Sequence, residues 1–268
     1  MPWMWLLVAS LFPQAPSPYS PYHVNPAVSL PLSIGALVLY GLSEGFVVPS
    51  LHAQPTCRLN SQGTHCDPLY LPTFERNVPQ NHSKTWKTTS DALSYGSVAL
   101  PLAALFVEHF LSPPHTHAVQ KWLDPLILLE TAAASTVATT LLKHTVRRPR
   151  PSAYAPTQRL DALDEQVSFP SGHTSLAAAM TTAYTVTFAL KYPHSPWKYA
   201  VGALGVGITC ATGYARVAAG RHFYTDVAAG ALLGGVIGFV VPWLHRTSVQ
   251  PLMNASQDGV SLGVVKTF

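Results

Sequence analysis

Residues 169–191 read FPSGHTSLAAAMTTAYTVTFALK, and this stretch decides the fold. Pro170 stops any preceding helix, Ser171 stands where a helix N-cap is expected, and a long run of small and apolar residues follows without a charge until Lys191. Ala, Ser and Thr are abundant in it, and small residues let helices pack closely in a membrane bundle. The stretch therefore predicts a tightly packed helix with a polar, anion-attracting start. His173 lies within the first turn, where unpaired backbone N–H groups and the positive end of the helix dipole point outward.

Five further segments resemble it in length and apolarity. The full set covers residues 27–48, 92–111, 122–142, 172–190, 198–219 and 225–244, each near the ~20 residues that cross a ~30 Å hydrocarbon core. Only 10% of the 268 residues are charged, against about 25% in soluble domains. No Lys, Arg, Asp or Glu precedes Glu44. Glu44, Glu108, Asp124 and Glu130 lie within or beside the apolar segments and are their imperfections. The net charge of +4 comes without a basic run or face, which excludes a nucleic-acid partner.

The chain divides into an N-terminal apolar segment (1–49), a polar loop (50–91), a helical core (92–245) and a tail (246–268). Residues 1–12 are apolar but too short to span and lack a basic start; prolines follow. Residues 27–43 make the better first span or export signal, and Ser50-Leu51-His52-Ala53 resembles a signal cleavage site. Cys57 and Cys66 sit in the polar loop, either as a disulfide, which implies an oxidising compartment, or as two thiols. Cys210 is a packing residue in an apolar run, and no metal-finger spacing occurs. Asn81-His82-Ser83 fits the glycosylation triplet. The tail from Asp258 alternates enough for a short strand.

Three polar constellations fall at the edges of apolar segments. Lys143 is followed after six residues by Arg150-Pro151; Pro170-Ser171-Gly172-His173 opens the fourth segment; Arg216, His222 and Asp226 are separated by five and three residues. A lysine with two arginines can neutralise a tetrahedral dianion, the guanidinium forks fixing geometry and the ammonium acting as a point charge. Such a clamp suits phosphoryl transfer, which depends on positioning and on stabilising charge over the equatorial oxygens. Gly172 permits close approach of the backbone, and His173 can protonate a leaving oxygen. His222 and Asp226 share a face if both are helical, so that the carboxylate would fix the imidazole tautomer and leave the other nitrogen as a nucleophile.

Together these motifs resemble the K-x6-R-P, P-S-G-H and S-R-x5-H-x3-D signature of the type 2 phosphatidic acid phosphatase (PAP2) superfamily over residues 143–226. The resemblance implies an all-α, six-helix transmembrane bundle with a polar extracytoplasmic loop between its first two helices. It implies phosphate binding by Lys143, Arg150, Ser171, Gly172 and Arg216. His222 would be the nucleophile, Asp226 its partner and His173 the general acid, with neither metal nor other cofactor. The expected substrate is a lipid phosphate or pyrophosphate, in a chain integral to a bacterial inner membrane with its site facing the periplasm. The alternatives are a soluble or tethered periplasmic acid phosphatase, a vanadium haloperoxidase and a non-catalytic membrane protein. Ala215 departs from the motif serine, and Arg148-Pro149 offers a second Arg-Pro pair two residues out of register.

Overall fold

The computed structural model describes residues 21–22, 24–42, 57–111, 122–155, 167–246, 249–256 and 259–266. Residues 1–12, Glu44 and the cleavage-like stretch at 50–53 lie outside them. The described residues contain the long helices α1 (Pro26–Leu42), α2 (Lys84–Leu111), α3 (Leu123–Val146), α4 (Gly172–Lys191), α5 (Trp197–Ala218) and α6 (Tyr224–Arg246). After α6 the backbone forms an antiparallel pair, β1 (Val249–Ser256) with β2 (Gly259–Lys266), so the tail carries two strands where the sequence suggested one.

One boundary differs from the sequence reading by well over a turn of helix. Helix α2 begins at Lys84, eight residues before the apolar segment, because a helix that emerges from an apolar layer can continue with polar residues. Among the described residues, α2, α3, α5 and α6 are long and apolar enough to cross a membrane; α1, described over 17 residues, is a shorter apolar helix. Helix α4 falls below that apolarity because it is the hub, packed against α2, α3, α5 and α6. Its threonines can be buried because the hydroxyls bond the preceding turn: Thr181 Oγ1 donates to Ala177 O at 2.8 Å and Thr187 Oγ1 to Ala183 O at 2.9 Å. Ser175 Oγ meets Ser135 Oγ of α3 at 3.0 Å.

Contact between α4 and α6 runs along Gly230, Gly234 and Gly238, a four-residue stripe. A Cβ at these positions would collide with the carbonyl oxygens of Ser171, Ser175 and Ala179 respectively. The backbones meet there with no room for a side chain, as small-residue helix crossings require. Gly234→Leu is therefore expected to destabilise the protein by about 3 kcal/mol or to prevent folding. Gly207→Leu on the open face of α5, where a Cβ meets nothing within 4 Å, should leave thermal unfolding in detergent unchanged.

The acids that interrupt the apolar segments have partners. At the end of the bundle away from His173, Lys191 Nζ lies 2.7 Å from both Glu108 and Asp124, and Tyr192 OH donates to Glu108 at 2.9 Å. This cluster ties the end of α2 and the start of α3 to the end of α4. Glu130 pairs with His245 at 2.9 Å. All three polar constellations lie at the opposite end, beneath the loop of residues 57–83. A disulfide joins Cys57 to Cys66 in that loop, with 5.7 Å between their Cα atoms. Cys66 is fully buried against Tyr154, Phe223 and Val217, which seats the loop on the helical end.

Candidate active site

Each polar constellation sits where a helix starts or stops. Helix α3 carries Lys143 in its last turn and ends at Arg147, whose left-handed backbone (φ 50°) turns the chain towards Arg148 and Arg150. Arg150 is buried, and its Nη1 donates to the carbonyl of Arg221 at 3.1 Å, beside His222. Ser171 caps α4 by position, but its Oγ meets Thr174 Oγ1 at 2.9 Å and does not cap the first-turn amides. Lys143 Nζ lies over this start, 3.7 Å from where a Cβ on Gly172 would stand. Arg216, in the last turn of α5, is buried and donates through Nη1 to Ser90 Oγ and Asp91 Oδ1, each at 3.2 Å. His173 Nε2 reaches the same Asp91 oxygen at 2.9 Å. Ala215 is fully buried, so the hydroxyl of the motif serine would lie inside the packed interior.

His222 departs from the expected pairing. It precedes α6, which starts at Tyr224, so His222 and Asp226 are not two positions on one helical face. The imidazole Nδ1 meets the backbone carbonyl of Ser168 at 2.8 Å, and Asp226 Oδ2 stands off at 3.8 Å. A carbonyl only accepts, so Nδ1 carries the proton and Nε2 keeps its lone pair. Asp226 is drawn away because it accepts from Phe223 N at 2.8 Å, Ser168 Oγ at 2.6 Å and Arg148 Nη1 at 2.6 Å. It thus orients His222 through Ser168.

Behind Asp226 lies a layer that sequence reasoning missed. Arg148 bridges Asp226 and Glu75, each at 2.6 Å, and stacks on Phe223 with 4.3 Å from Cζ to the ring centroid. Glu75, fully buried in the loop, also accepts from Thr225 N and Oγ1 at 2.9 and 2.8 Å. No spacing signal marks Glu75, Ser168 or Asp91. Only the duplicated Arg-Pro pair hinted that Arg148 had a purpose. The structure separates the two arginines: Arg148 faces the acids, and Arg150 faces the His222 segment.

Burial holds the His222 imidazole well below its usual 6.5, and Arg150, Arg216, Lys143 and His173 push in the same direction by disfavouring a further positive charge. A neutral ring with a free Nε2, beside three cations and a helix N-terminus, can attack a tetrahedral anion held by those groups.

Residues 124–250 match the family model described as PAP2 superfamily. The match covers just under half of the chain. It begins in the first turn of α3 and includes every expected site residue from Lys143 to Asp226. Among curated relatives, "Probable diacylglycerol pyrophosphate phosphatase 1" of Schizosaccharomyces pombe is 29% identical over 163 residues, covering 51% of this chain and 57% of the relative. Lipid A 1-phosphatase of Porphyromonas gingivalis is 35% identical over 77 residues, 29% of this chain and 16% of the relative. The match thus spans little more than half of the first relative and a small part of the second.

Solved structures similar to this chain include the transmembrane PAP2-type phosphatidylglycerolphosphate phosphatase of Bacillus subtilis, with a TM-score of 0.48 and 20% identity, covering 81% of this chain and 94% of that one. LpxE of Aquifex aeolicus has a TM-score of 0.41 and 25% identity, covering 62% and 90%. A bacterial vanadium-dependent chloroperoxidase has a TM-score of 0.40 and 14% identity, covering 63% and 46%.

Proposed function

We propose that this protein is an integral membrane phosphatase that removes a phosphoryl group from a lipid phosphate or pyrophosphate through a phosphohistidine at His222. The observation that carries this reading is the commitment of His222 Nδ1 to the Ser168 carbonyl, which leaves Nε2 unprotonated among Lys143, Arg150 and Arg216. Those cations, with Ser171 and the amides at Gly172, would hold the equatorial oxygens. Nε2 forms a bond to phosphorus as the bond to the leaving oxygen breaks, and that oxygen takes a proton from His173. Water then attacks the phosphohistidine, gives its proton back to His173 and releases inorganic phosphate. Side-chain cations meet the charge at each stage, so the mechanism needs no metal.

Membrane placement is supported by the four helices with spanning length and apolarity. The six helices would then cross in alternation, with every site residue on one side. The Cys57–Cys66 disulfide belongs to that side, which supports a site facing an oxidising compartment such as the periplasm. Lys191, Lys198 and Arg246 belong to the other side and fit a cytoplasmic face. The relatives named as acting on diacylglycerol pyrophosphate and lipid A support a lipid substrate.

The full chain, purified in detergent, should release phosphate from at least one of phosphatidate, diacylglycerol pyrophosphate, phosphatidylglycerophosphate, undecaprenyl pyrophosphate and lipid A 1-phosphate, with EDTA present. No release from any of these, or release only after a metal is added, would remove the proposal.

A further inference from the structure

His173 is asked to donate a proton in surroundings that oppose its carrying one. Burial opposes a charge on this ring most, and the groups acting on it are Arg216 from α5, Asp91 from α2, Lys143 from α3 and His222 from the segment before α6. Three of these are cationic or can become so, and Asp91 is the carboxylate. Tyr95 lies nearby with 6.3 Å between ring centroids, and Ser94 Oγ approaches the His173 carbonyl at 3.4 Å; neither supplies a negative charge. The Asp91 carboxylate touches both His173 Nε2, at 2.9 Å, and Arg216 Nη1, at 3.2 Å. The pair is not sealed inside the bundle: the His173 and Asp91 side chains are 29% and 32% exposed, so protons can reach them from water.

We infer that Asp91 is a positioning residue for the proposed proton donor, holding the His173 ring through Nε2 and stabilising its protonated form against the neighbouring cations. This rests on the reading of His173 as general acid. The proton balance is closed. As the His222–phosphorus bond forms and the phosphorus–oxygen bond breaks, the departing alkoxide takes a proton from the His173 imidazolium and leaves it neutral. In the second step the attacking water binds phosphorus, the nitrogen–phosphorus bond breaks, and the water proton returns to His173. The Asp91 carboxylate takes no part in the proton transfer, and its charge favours the imidazolium at the start and end of each turnover. Its contact with Arg216 gives a competing role, that of merely holding the phosphate-binding arginine in place.

The two roles separate by leaving group. An alkyl alkoxide needs a proton to depart, whereas 4-nitrophenolate does not. Full-length wild type, Asp91→Asn, Asp91→Glu and His173→Ala would be assayed on dioctanoyl phosphatidate and on 4-nitrophenyl phosphate. Asp91→Asn is expected to lower kcat on phosphatidate by about 10- to 100-fold, part of the usual general-acid effect. KM should stay within about threefold, and the loss on 4-nitrophenyl phosphate should be under about threefold. The basic limb of the kcat profile should move to lower pH, because the imidazolium has lost its anionic partner, and Asp91→Glu should recover part of the rate. Turnover of 4-nitrophenyl phosphate also shows that the variant is folded. Equal loss on both substrates, a change in KM alone, or an unaffected phosphatidate rate would overturn the role of Asp91. The general-acid reading of His173 fails separately if His173→Ala loses both substrates equally or neither.

Discussion

His222→Ala should lower phosphate release from the best lipid substrate by at least about 10³-fold, the scale on which loss of a covalent nucleophile is felt. The substitution removes the nitrogen that would bond phosphorus, and the cation clamp alone cannot replace it. A phosphoenzyme trapped during wild-type turnover should be labile to acid and stable to alkali, as a phosphoramidate is, and absent from the variant. Undiminished release by the purified variant would sink the phosphohistidine mechanism. The pH dependence has a definite sign. A buried His222 with its affinity for protons held well below 6.5 stays neutral in the fold, while the unfolded chain takes up a proton near 6.5. Its contribution to stability is therefore complete above that pH and declines as the pH falls through the folded value. Over the same range the nucleophile itself remains in its reactive form, so loss of activity just below pH 6.5 should trace to other groups.

The proposed cation clamp and the helix start were legible in the sequence, because these motifs depend on local spacing. Lys143 and Arg150 flank one helix end, Gly172 opens another, and Arg216 closes a third. What spacing could not show is which side chains answer one another across the fold. Four intervals along a helix suggested a direct bond from Asp226 to His222; the actual helix starts two residues later, and the carboxylate turns to cap Phe223 N and to accept from Ser168 and Arg148. Ser168 contributes a backbone carbonyl, which no residue type advertises. Glu75 and Asp91 lay in a stretch read as a polar loop, where an isolated acid looks like a solvated one. Apolarity marks α4 less strongly than its neighbours. A helix surrounded by protein has no need to be as apolar as one facing lipid, and its serines and threonines satisfy themselves within the bundle.

The glycosylation triplet has a different reading in three dimensions. Asn81 Nδ2 donates to the carbonyl of Val217 at 3.0 Å, and the Asn81 carbonyl lies where a Cβ on Gly220 would stand. This side chain fastens the loop to the end of α5.

Arg148 and Arg150 provide the second large contrast, because adjacent Arg-Pro pairs should fail in different ways. Arg148 neutralises Glu75 and Asp226, both fully buried, from a side chain that is only 20% exposed. Arg148→Ala would leave two carboxylates facing a cavity without a cation, and breaking a buried pair in this way costs about 3–5 kcal/mol. Its thermal unfolding should fall well below that of the wild type, and kcat should fall with it as Asp226 and Ser168 lose their registration behind His222. Adding Glu75→Gln should recover part of the lost stability, since one of the stranded charges is then gone; the coupling is read from the double-mutant cycle. Arg150→Ala should do the reverse. Its expected signature is a fall in kcat/KM of about 10²-fold or more with a smaller change in unfolding temperature, because the group removed is assigned to the phosphate and not to a buried acid. If Arg148→Ala kept its stability and lost only phosphate affinity, the roles of the two arginines would have to be exchanged, and the spacing from Lys143 would no longer identify the phosphate ligand.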